Sequence, residues 1–146
     1  MKKITFIKSV IFAAVMLCIT PLFAQAGGKQ NKVTVELSNV TTTDGLLLVA
    51  VYDSEKAFSK KSACLETKIN PANGKTVFDV ELPDGDYLFC IAHDVNNNGK
   101  LDEGLFGMPK EPVAMNNYNG KNVPKFSKLK VSISADSTIP MELFSF

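Results

Sequence analysis

Residues 82–93 have the sequence LPDGDYLFCIAH, in which a Pro-Asp-Gly turn leads directly into a run of apolar residues. Proline presets the backbone at the second position of a turn, and Asp-Gly tolerates the angles that complete it. Tyr87 follows the turn as in the tyrosine corner of β-sandwich proteins, where the phenol binds the preceding corner. Alternation along the predicted strand puts Tyr87, Phe89 and Ile91 on the core face and Leu88, Cys90 and Ala92 on the opposite face.

The chain after residue 26 continues as short apolar or β-branched runs separated by turn residues, a pattern typical of strands. Pro140 cannot donate a hydrogen bond, so we expect the last strand at a sheet edge or with a bulged start. Only residues 54–61 predict a short helix, which Ser54 would cap. The predicted strands cover residues 32–40, 46–53, 64–69, 76–82, 87–93, 128–134 and 139–144. Seven strands predict an all-β fold, a single antiparallel β-sandwich of immunoglobulin-like or transthyretin-like type.

Residues 94–125 contain no convincing strand, and a connection of about 30 residues is far longer than usual. A loop of this length has its own ordering device or a function. Because the face of residues 88, 90 and 92 is also apolar, we expect this loop to cover it.

Oxygen-bearing side chains alternate along the start of the long loop. Counted from residue 94, they occupy the first, third, fifth and ninth positions of an EF-hand loop, and Gly99 provides the turn at the sixth. The candidate metal ligands are Asp94, Asn96, Asn98, Lys100 through its carbonyl, Asp102 and Glu103. Hard cations prefer such oxygen ligands, so the pattern predicts a calcium-binding loop.

The loop departs from the EF-hand pattern in two respects. Leu105 stands at the twelfth position, where an EF-hand has a bidentate glutamate, so Glu103 would have to replace it in a different wrap. The preceding element is a strand rather than a helix. Asx turns that satisfy the loop without any metal are the alternative, and another cation remains open. Asn at two ligand positions indicates a weak rather than a tight calcium site.

His93 is the only histidine, which excludes a zinc site built from several histidines. Cys90 cannot form a dyad with it, because residues three apart on a strand point to opposite faces. A nucleophile elbow and a phosphate-binding loop are also missing from the sequence. We therefore predict that the protein is not an enzyme and that His93 is a strand-end residue with a local hydrogen bond. The alternative is a metal-dependent or transthyretin-like hydrolase of unknown substrate, which would use Asp94, Asp102, Glu103 and His93.

Residues 1–26 have the layout of a signal peptide, with three lysines before an apolar run over residues 9–23 that ends in Ala-Gln-Ala. That run of about 15 residues is shorter than the roughly 20 that a membrane-spanning helix needs. An uncleaved anchor or lipidation at Cys18 are alternatives. We expect cleavage after Ala26, which leaves a periplasmic or secreted β-sandwich domain of residues 27–146 without a transmembrane segment.

The predicted mature chain has 13 lysines, no arginine and 15 acidic residues, a net charge of −2. Its lysines are dispersed, so it offers neither a phosphate-binding stripe nor bidentate readout of bases, and we expect no nucleic-acid partner. Cys64 and Cys90 are its two cysteines. In an oxidising compartment they predict a disulfide, with two buried free thiols as the alternative.

A series of short motifs follows the strand that ends near His93. It consists of His93-Asp94, Asn96, Asn98-Gly99, Leu101-Asp102, Gly107-Met108-Pro109-Lys110-Glu111, Asn116-Asn117, Pro124 and Phe126. Together with the turn at residues 82–87, the series resembles the bacterial domain of unknown function 2141 family over essentially all of the predicted mature chain. The resemblance implies an exported β-sandwich, similar to transthyretin-like and collagen-adhesin B-type modules, with no established activity. Residues 112–115 depart from the Gly- and aromatic-containing continuation that the resemblance implies.

These observations predict an exported, non-enzymatic binding or structural module of the cell envelope, whose long loop, stiffened by calcium or by Asx turns, presents a binding surface. The expected partner is another envelope protein or a glycan. Candidate contacts are Phe106, Met108, Met115 and Tyr118, unless these side chains only attach the loop to the sheet.

Overall fold

The computed structural model describes residues 28–146, apart from the side chain of Phe106, and folds them into two packed β-sheets. The signal-peptide prediction and the alternative of lipidation at Cys18 lie outside these residues. The strands are β1 (Gln30–Val40), β2 (Leu46–Tyr52), β3 (Leu65–Ile69), β4 (Gly74–Pro83), β5 (Gly85–Asp94), β6 (Val113–Met115), β7 (Val131–Ile133) and β8 (Ser137–Glu142). Two short helices, α1 (Glu55–Ser59) and α2 (Phe126–Leu129), and a 3-10 turn (Leu105–Gly107) connect them. No helix in this part of the chain is long and apolar enough to cross a membrane.

The two sheets have the orders β4-β1-β8 and β3-β2-β5-β6, and β7 also pairs with β5. The predicted β-sandwich is therefore confirmed. One strand pair departs from the antiparallel pattern, because β8 runs parallel to β1. Pro140 lies on β8 at the edge of its sheet, as predicted, where its missing N–H costs no hydrogen bond between strands.

The main core lies between the sheets and follows the alternation of side chains along each strand. On β1, Val33, Val35 and Leu37 are fully buried while the residues between them are more exposed. The predicted core face of β5 is confirmed, since Tyr87, Phe89 and Ile91 all belong to this core.

The tyrosine corner is present. The Tyr87 hydroxyl donates a hydrogen bond of 3.1 Å to the Pro83 carbonyl and so ties the end of β4 to the start of β5. Gly85 lets the ring lie close to the backbone, since a Cβ there would lie 3.0 Å from the phenol oxygen, closer than ordinary van der Waals contact. Helix α1 is also confirmed, with the Ser54 hydroxyl accepting a hydrogen bond from the Ala57 amide.

Two expectations about the second half of the chain were wrong. Residues 128–134 do not form one strand, since helix α2 precedes the three-residue strand β7. Phe126 and Leu129 are three residues apart and therefore share one face of a helical turn, which packs on Leu88. The long loop also contains a strand, β6, which pairs with β5 between Cys90 and Ala92. Three apolar residues beside Pro112 are too few to give a recognisable alternation.

The outer face of β5 is partly covered, as expected. Leu88, Phe126 and Leu129 form a second apolar cluster, and Tyr52, Phe58, Cys90, Met115 and Tyr118 pack against it. The rest of this face, towards His93, is left open and forms the floor of a groove.

Candidate functional site

The long loop begins at Asp94, whose fully buried carboxylate organises the first turn. Its Oδ1 accepts a hydrogen bond from the Asn98 amide at 3.0 Å, and its Oδ2 accepts one from the Gly99 amide at 2.7 Å. Gly99 has φ +83°, which glycine adopts without strain. Asp94 therefore caps the turn with both of its oxygens.

Three more of the predicted ligand side chains converge on one another. The Asp102 carboxylate accepts hydrogen bonds from the side-chain nitrogen Nδ2 of Asn96 at 2.7 Å and from Nδ2 of Asn98 at 2.9 Å. These two bonds, first from Asn96 and then from Asn98, lower the pKa of Asp102. The amide oxygens of Asn96 and Asn98 meanwhile accept backbone N–H groups two residues further along, as in Asx turns.

Glu111 completes this network, although the sequence reasoning did not select it. It is buried, and its two oxygens accept hydrogen bonds of 3.1 Å from the backbone amides of Val95 and Asp102. One carboxylate thus holds both ends of the turn. The only sequence signal was its place in the motif of residues 107–111.

The other two predicted ligands behave differently. Glu103 is exposed and lies 3.7 Å from the Lys61 ammonium, and it makes no hydrogen bond to the Asx turns within residues 28–146. The Lys100 backbone amide donates to the Asn98 side chain, which fixes this residue in the turn. No group of three or more His, Cys, Asp or Glu side chains in the described part of the chain is arranged to hold a metal. A cation here would therefore have two carboxylates and two amides as side-chain ligands.

The four side chains fit a cation only after a change at the amides. The oxygen and nitrogen of a side-chain carboxamide have nearly the same size and shape. A rotation of the Asn96 and Asn98 carboxamides by 180° would therefore direct oxygens rather than N–H groups towards Asp102. That rotation breaks the two Asx hydrogen bonds, which offsets part of the binding energy.

The β1–β2 turn supports the loop from beneath. Gly45 has φ +69°, and a Cβ at this position would lie 1.8 Å from the Asp94 carbonyl oxygen. His93 is fully buried, and its Nε2 lies 2.8 Å from the Asp44 carbonyl oxygen, which can only accept a hydrogen bond. Nδ1 has no partner among the described residues. His93 thus has the local hydrogen bond predicted for it, and it points away from the groove described below.

The predicted disulfide between Cys64 and Cys90 is wrong, because both cysteines are free. Cys64 directly precedes β3 and Cys90 lies on β5, so that β2 separates them in the sheet. Two strand spacings amount to about 9.5 Å, which exceeds the reach of a disulfide. Burial raises the pKa of Cys90 to about 12, so this thiol is protonated at neutral pH. The pKa of Cys64 is also raised, first by burial and then by the negative charge of Asp53.

A groove of about 880 Å³ lies on the outer face of the larger sheet, beside residues 94–102, which we call the Asx loop. Leu48, Ala50, Cys90 and Ala92 form its floor, and the small side chains among them leave the depression. The sequence predicted that this face is apolar, but not that it stays partly open.

Apolar side chains also dominate the walls of the groove. The apolar residues around the floor are Tyr52, Phe58, Leu101, Gly107, Pro109, Met115, Tyr118, Pro124 and Phe146. Of the proposed contacts, Met115 and Tyr118 both pack on the second cluster and line the groove, while Met108 is half exposed.

Exposed apolar side chains concentrate on the segments that border the groove. Among the described residues, five large hydrophobic side chains are strongly exposed, and four of them belong to these segments. They are Leu105 (84%), Met108 (50%), Val123 (83%) and Phe146 (53%). The charged residues at the rim are Lys61, Glu66, Lys68 and Glu103, two of each sign. Apolar surface concentrated around a concave site is typical of a binding site.

Searches of curated proteins and of solved structures found no match. A family model described as "Uncharacterized protein conserved in bacteria (DUF2141)" matches residues 35–140. These residues extend from β1 to β8 and include the tyrosine corner, the Asx loop and the groove floor. The chain therefore belongs to the DUF2141 family of bacterial proteins.

Proposed function

We propose that this protein is an exported, non-enzymatic binding module of the cell envelope, periplasmic or secreted, which holds apolar side chains of a partner protein in the groove. The observation that carries the proposal is the open, apolar floor of Leu48, Ala50, Cys90 and Ala92 beside a loop ordered by its own hydrogen bonds. A rigid scaffold that presents an ordered loop and an apolar cleft favours recognition.

A protein partner has more support than a glycan. The floor of the groove offers aliphatic side chains and a protonated thiol, whereas sugar hydroxyls need hydrogen-bonding groups. The exposed Leu105 and Val123 at the border add apolar area that a protein interface would bury.

The hydrolase alternative has less support from the geometry. His93 is buried beneath the loop, and the Asp94 carboxylate is occupied by two backbone amides. Glu103 lies beside Lys61 at the rim. These groups do not converge on a common point where a substrate would sit.

The groove can be tested with the fluorescent apolar dye 8-anilino-1-naphthalenesulfonate as a probe. We expect saturable binding to the folded protein, weakened at least about tenfold by Ala92→Phe, which fills the floor. Val77→Phe is the matched control, because it adds the same ring to an exposed position on β4 and should leave dye affinity unchanged. Unaltered dye affinity in Ala92→Phe, with unchanged melting of both variants, would contradict the proposal.

A photo-crosslinking amino acid at position 92 or at position 77 tests the protein partner in envelope preparations. A crosslinked protein that appears only from position 92, and disappears when Ala50→Phe narrows the groove, supports the proposal. Equal crosslinking from both positions would contradict it.

We also infer that the Asx loop is a weak calcium site formed by Asp94, Asn96, Asn98 and Asp102. The support is that Asn96, Asn98 and Asp102 contact one another, that the buried Asp94 carboxylate lies in the same turn, and that the lowered pKa of Asp102 keeps a negative charge available. Two carboxylates and two amides correspond to the weak end of calcium affinities in proteins.

A further inference from the structure

Strand β3 lies at the edge of the larger sheet and pairs on one side only, with β2. A free edge presents unpaired backbone N–H and C=O groups that another strand can bind. The other edges are less available. β8 contains Pro140, which lacks a donor, and β6 is bridged by Phe144 through two hydrogen bonds of 2.9 and 3.0 Å with Val113.

The sequence of β3, Leu-Glu-Thr-Lys-Ile, has an apolar residue at each end and opposite charges on the two sides of the central Thr67. Glu66 and Lys68 are exposed and make no ion pair with any residue in the range 28–146. Leu65 and Ile69 are half-buried and pack against the main core. The strand therefore carries charge on one face and incompletely covered apolar side chains on the other.

We propose that two copies of this chain associate by antiparallel pairing of their β3 strands around a two-fold axis at Thr67. In this register Glu66 lies opposite the partner's Lys68, and Lys68 lies opposite the partner's Glu66. Leu65 lies opposite the partner's Ile69 on the other face. Directly opposed side chains in an antiparallel pair are about 5 Å apart, so opposite charges attract and the apolar pairs cover each other. The contact is isologous, as two-fold symmetry requires.

Strand β4, another free edge, lacks this property. Its Lys75 is bound to Glu36 at 2.8 Å, and its Asp79 is bound to Lys32 at 3.0 Å, both on the neighbouring strand β1. Two of the three charged side chains of β4 are therefore already paired within the chain, and the third, Glu81, has no free base on the same strand as its counterpart. The charges of β3 are complementary to a second copy of the same strand.

The pairing would extend the sheet across both copies and bring their grooves together, because Glu66 and Lys68 also line the groove. A five-residue strand is only about 17 Å long, so the contact is smaller than that of a permanent dimer. We expect a concentration-dependent dimer that high salt weakens by screening the ion pairs. This inference goes beyond the proposed function and does not depend on what the groove binds.

Sedimentation velocity from about 10 µM to about 1 mM tests the dimer over the range expected for a small interface. Wild-type protein should become dimeric as its concentration rises. Glu66→Lys or Lys68→Glu places like charges opposite each other twice, and each should weaken self-association at least about tenfold. Lys75→Glu, on the β4 edge, is the matched control and should leave association unchanged.

The two single variants also provide a rescue. An equimolar mixture of Glu66→Lys and Lys68→Glu should form a heterodimer, because every opposed pair again has opposite charges. The double variant carrying both substitutions should self-associate like the wild type. Wild-type protein that stays monomeric at the highest concentration would overturn the proposal. So would a dimer that either single variant leaves unchanged while melting temperatures show that all variants are folded.

Discussion

Tyr87 donates its hydroxyl to the Pro83 carbonyl, and Asn116 performs a similar role where β6 ends. The Asn116 oxygen accepts a hydrogen bond of 2.7 Å from the Phe89 amide, and its nitrogen donates to the Leu129 carbonyl. Asp94 and Glu111 likewise bind backbone amides. A buried backbone N–H or C=O group that loses its partner costs more free energy than the hydrogen bond itself contributes. Each of these side chains therefore stabilises the loop conformation whose backbone groups it binds.

Replacement of Tyr87 by phenylalanine removes the corner hydrogen bond and keeps the buried ring. We expect Tyr87→Phe to lower the free energy of unfolding by about 1 kcal/mol, the usual contribution of such a bond. Urea denaturation followed by far-UV circular dichroism measures this, and the slope of the transition should not change.

Tyr118→Phe is the matched control for that substitution. Its hydroxyl also donates to a carbonyl four residues away, that of Asn122, but in an exposed loop where water can replace it. We expect a smaller effect there. Equal losses in the two variants would mean that the corner contributes nothing beyond an ordinary surface hydrogen bond.

At the level of elements, residues 94–102 form a turn ordered by side chains rather than by packing. The Asp102 carboxylate accepts hydrogen bonds from the side-chain amides of Asn96 and Asn98. The carboxylates of Asp94 and Glu111 accept hydrogen bonds from backbone amides. A cation would compete with these hydrogen bonds for the same oxygens. Whether calcium stabilises the folded state therefore depends on the balance between its coordination and the Asx turns.

If calcium binds the folded state alone, a hundredfold excess over its dissociation constant adds about 2.7 kcal/mol to the free energy of unfolding. For a domain of this size that raises the melting temperature by about 10 °C. Asp102→Asn removes one charged ligand and should abolish most of this increase, and magnesium should substitute poorly. Differential scanning calorimetry with and without calcium measures both effects.

Asp136→Asn is the control for the calcium measurement. Asp136 also accepts a backbone hydrogen bond, of 2.8 Å from Lys32, but it lies outside the loop, so the calcium increment should persist in this variant. An unchanged wild-type melting temperature in millimolar calcium would mean that the loop is a metal-free scaffold.

For the whole molecule, the prediction of export rests on sequence alone. We expect a mature protein that begins at Gly27, because Ala24 and Ala26 are the small residues that signal peptidase requires. The intact mass of protein from the envelope fraction measures this directly. A mass that still includes residues 1–26 would contradict it and would favour an uncleaved anchor.

Much of the sandwich could be predicted because its determinants are local. Alternation along β1 and β5, the Pro-Asp-Gly turn before Tyr87, the Ser54 cap and the Asx pattern after Asp94 each act within a few residues of the chain. The family membership follows from the same local motifs. The predictions were wrong where the segments are short, as at α2 and β6, since three or four residues carry no measurable period.

The remaining features depend on which segments meet in space. The order of strands put β2 between Cys64 and Cys90 and so excluded the disulfide that the predicted oxidising compartment favours. Glu111 reaches back over nine residues to Asp102, and the groove opens only where α2 and β6 leave the outer face of β5 uncovered. The amino-acid sequence alone thus determined the longer strands, the turns and the candidate ligands of the loop. Only the tertiary structure decided the pairing of cysteines, the partner of each carboxylate and the open groove, because these depend on distances between residues far apart in the chain.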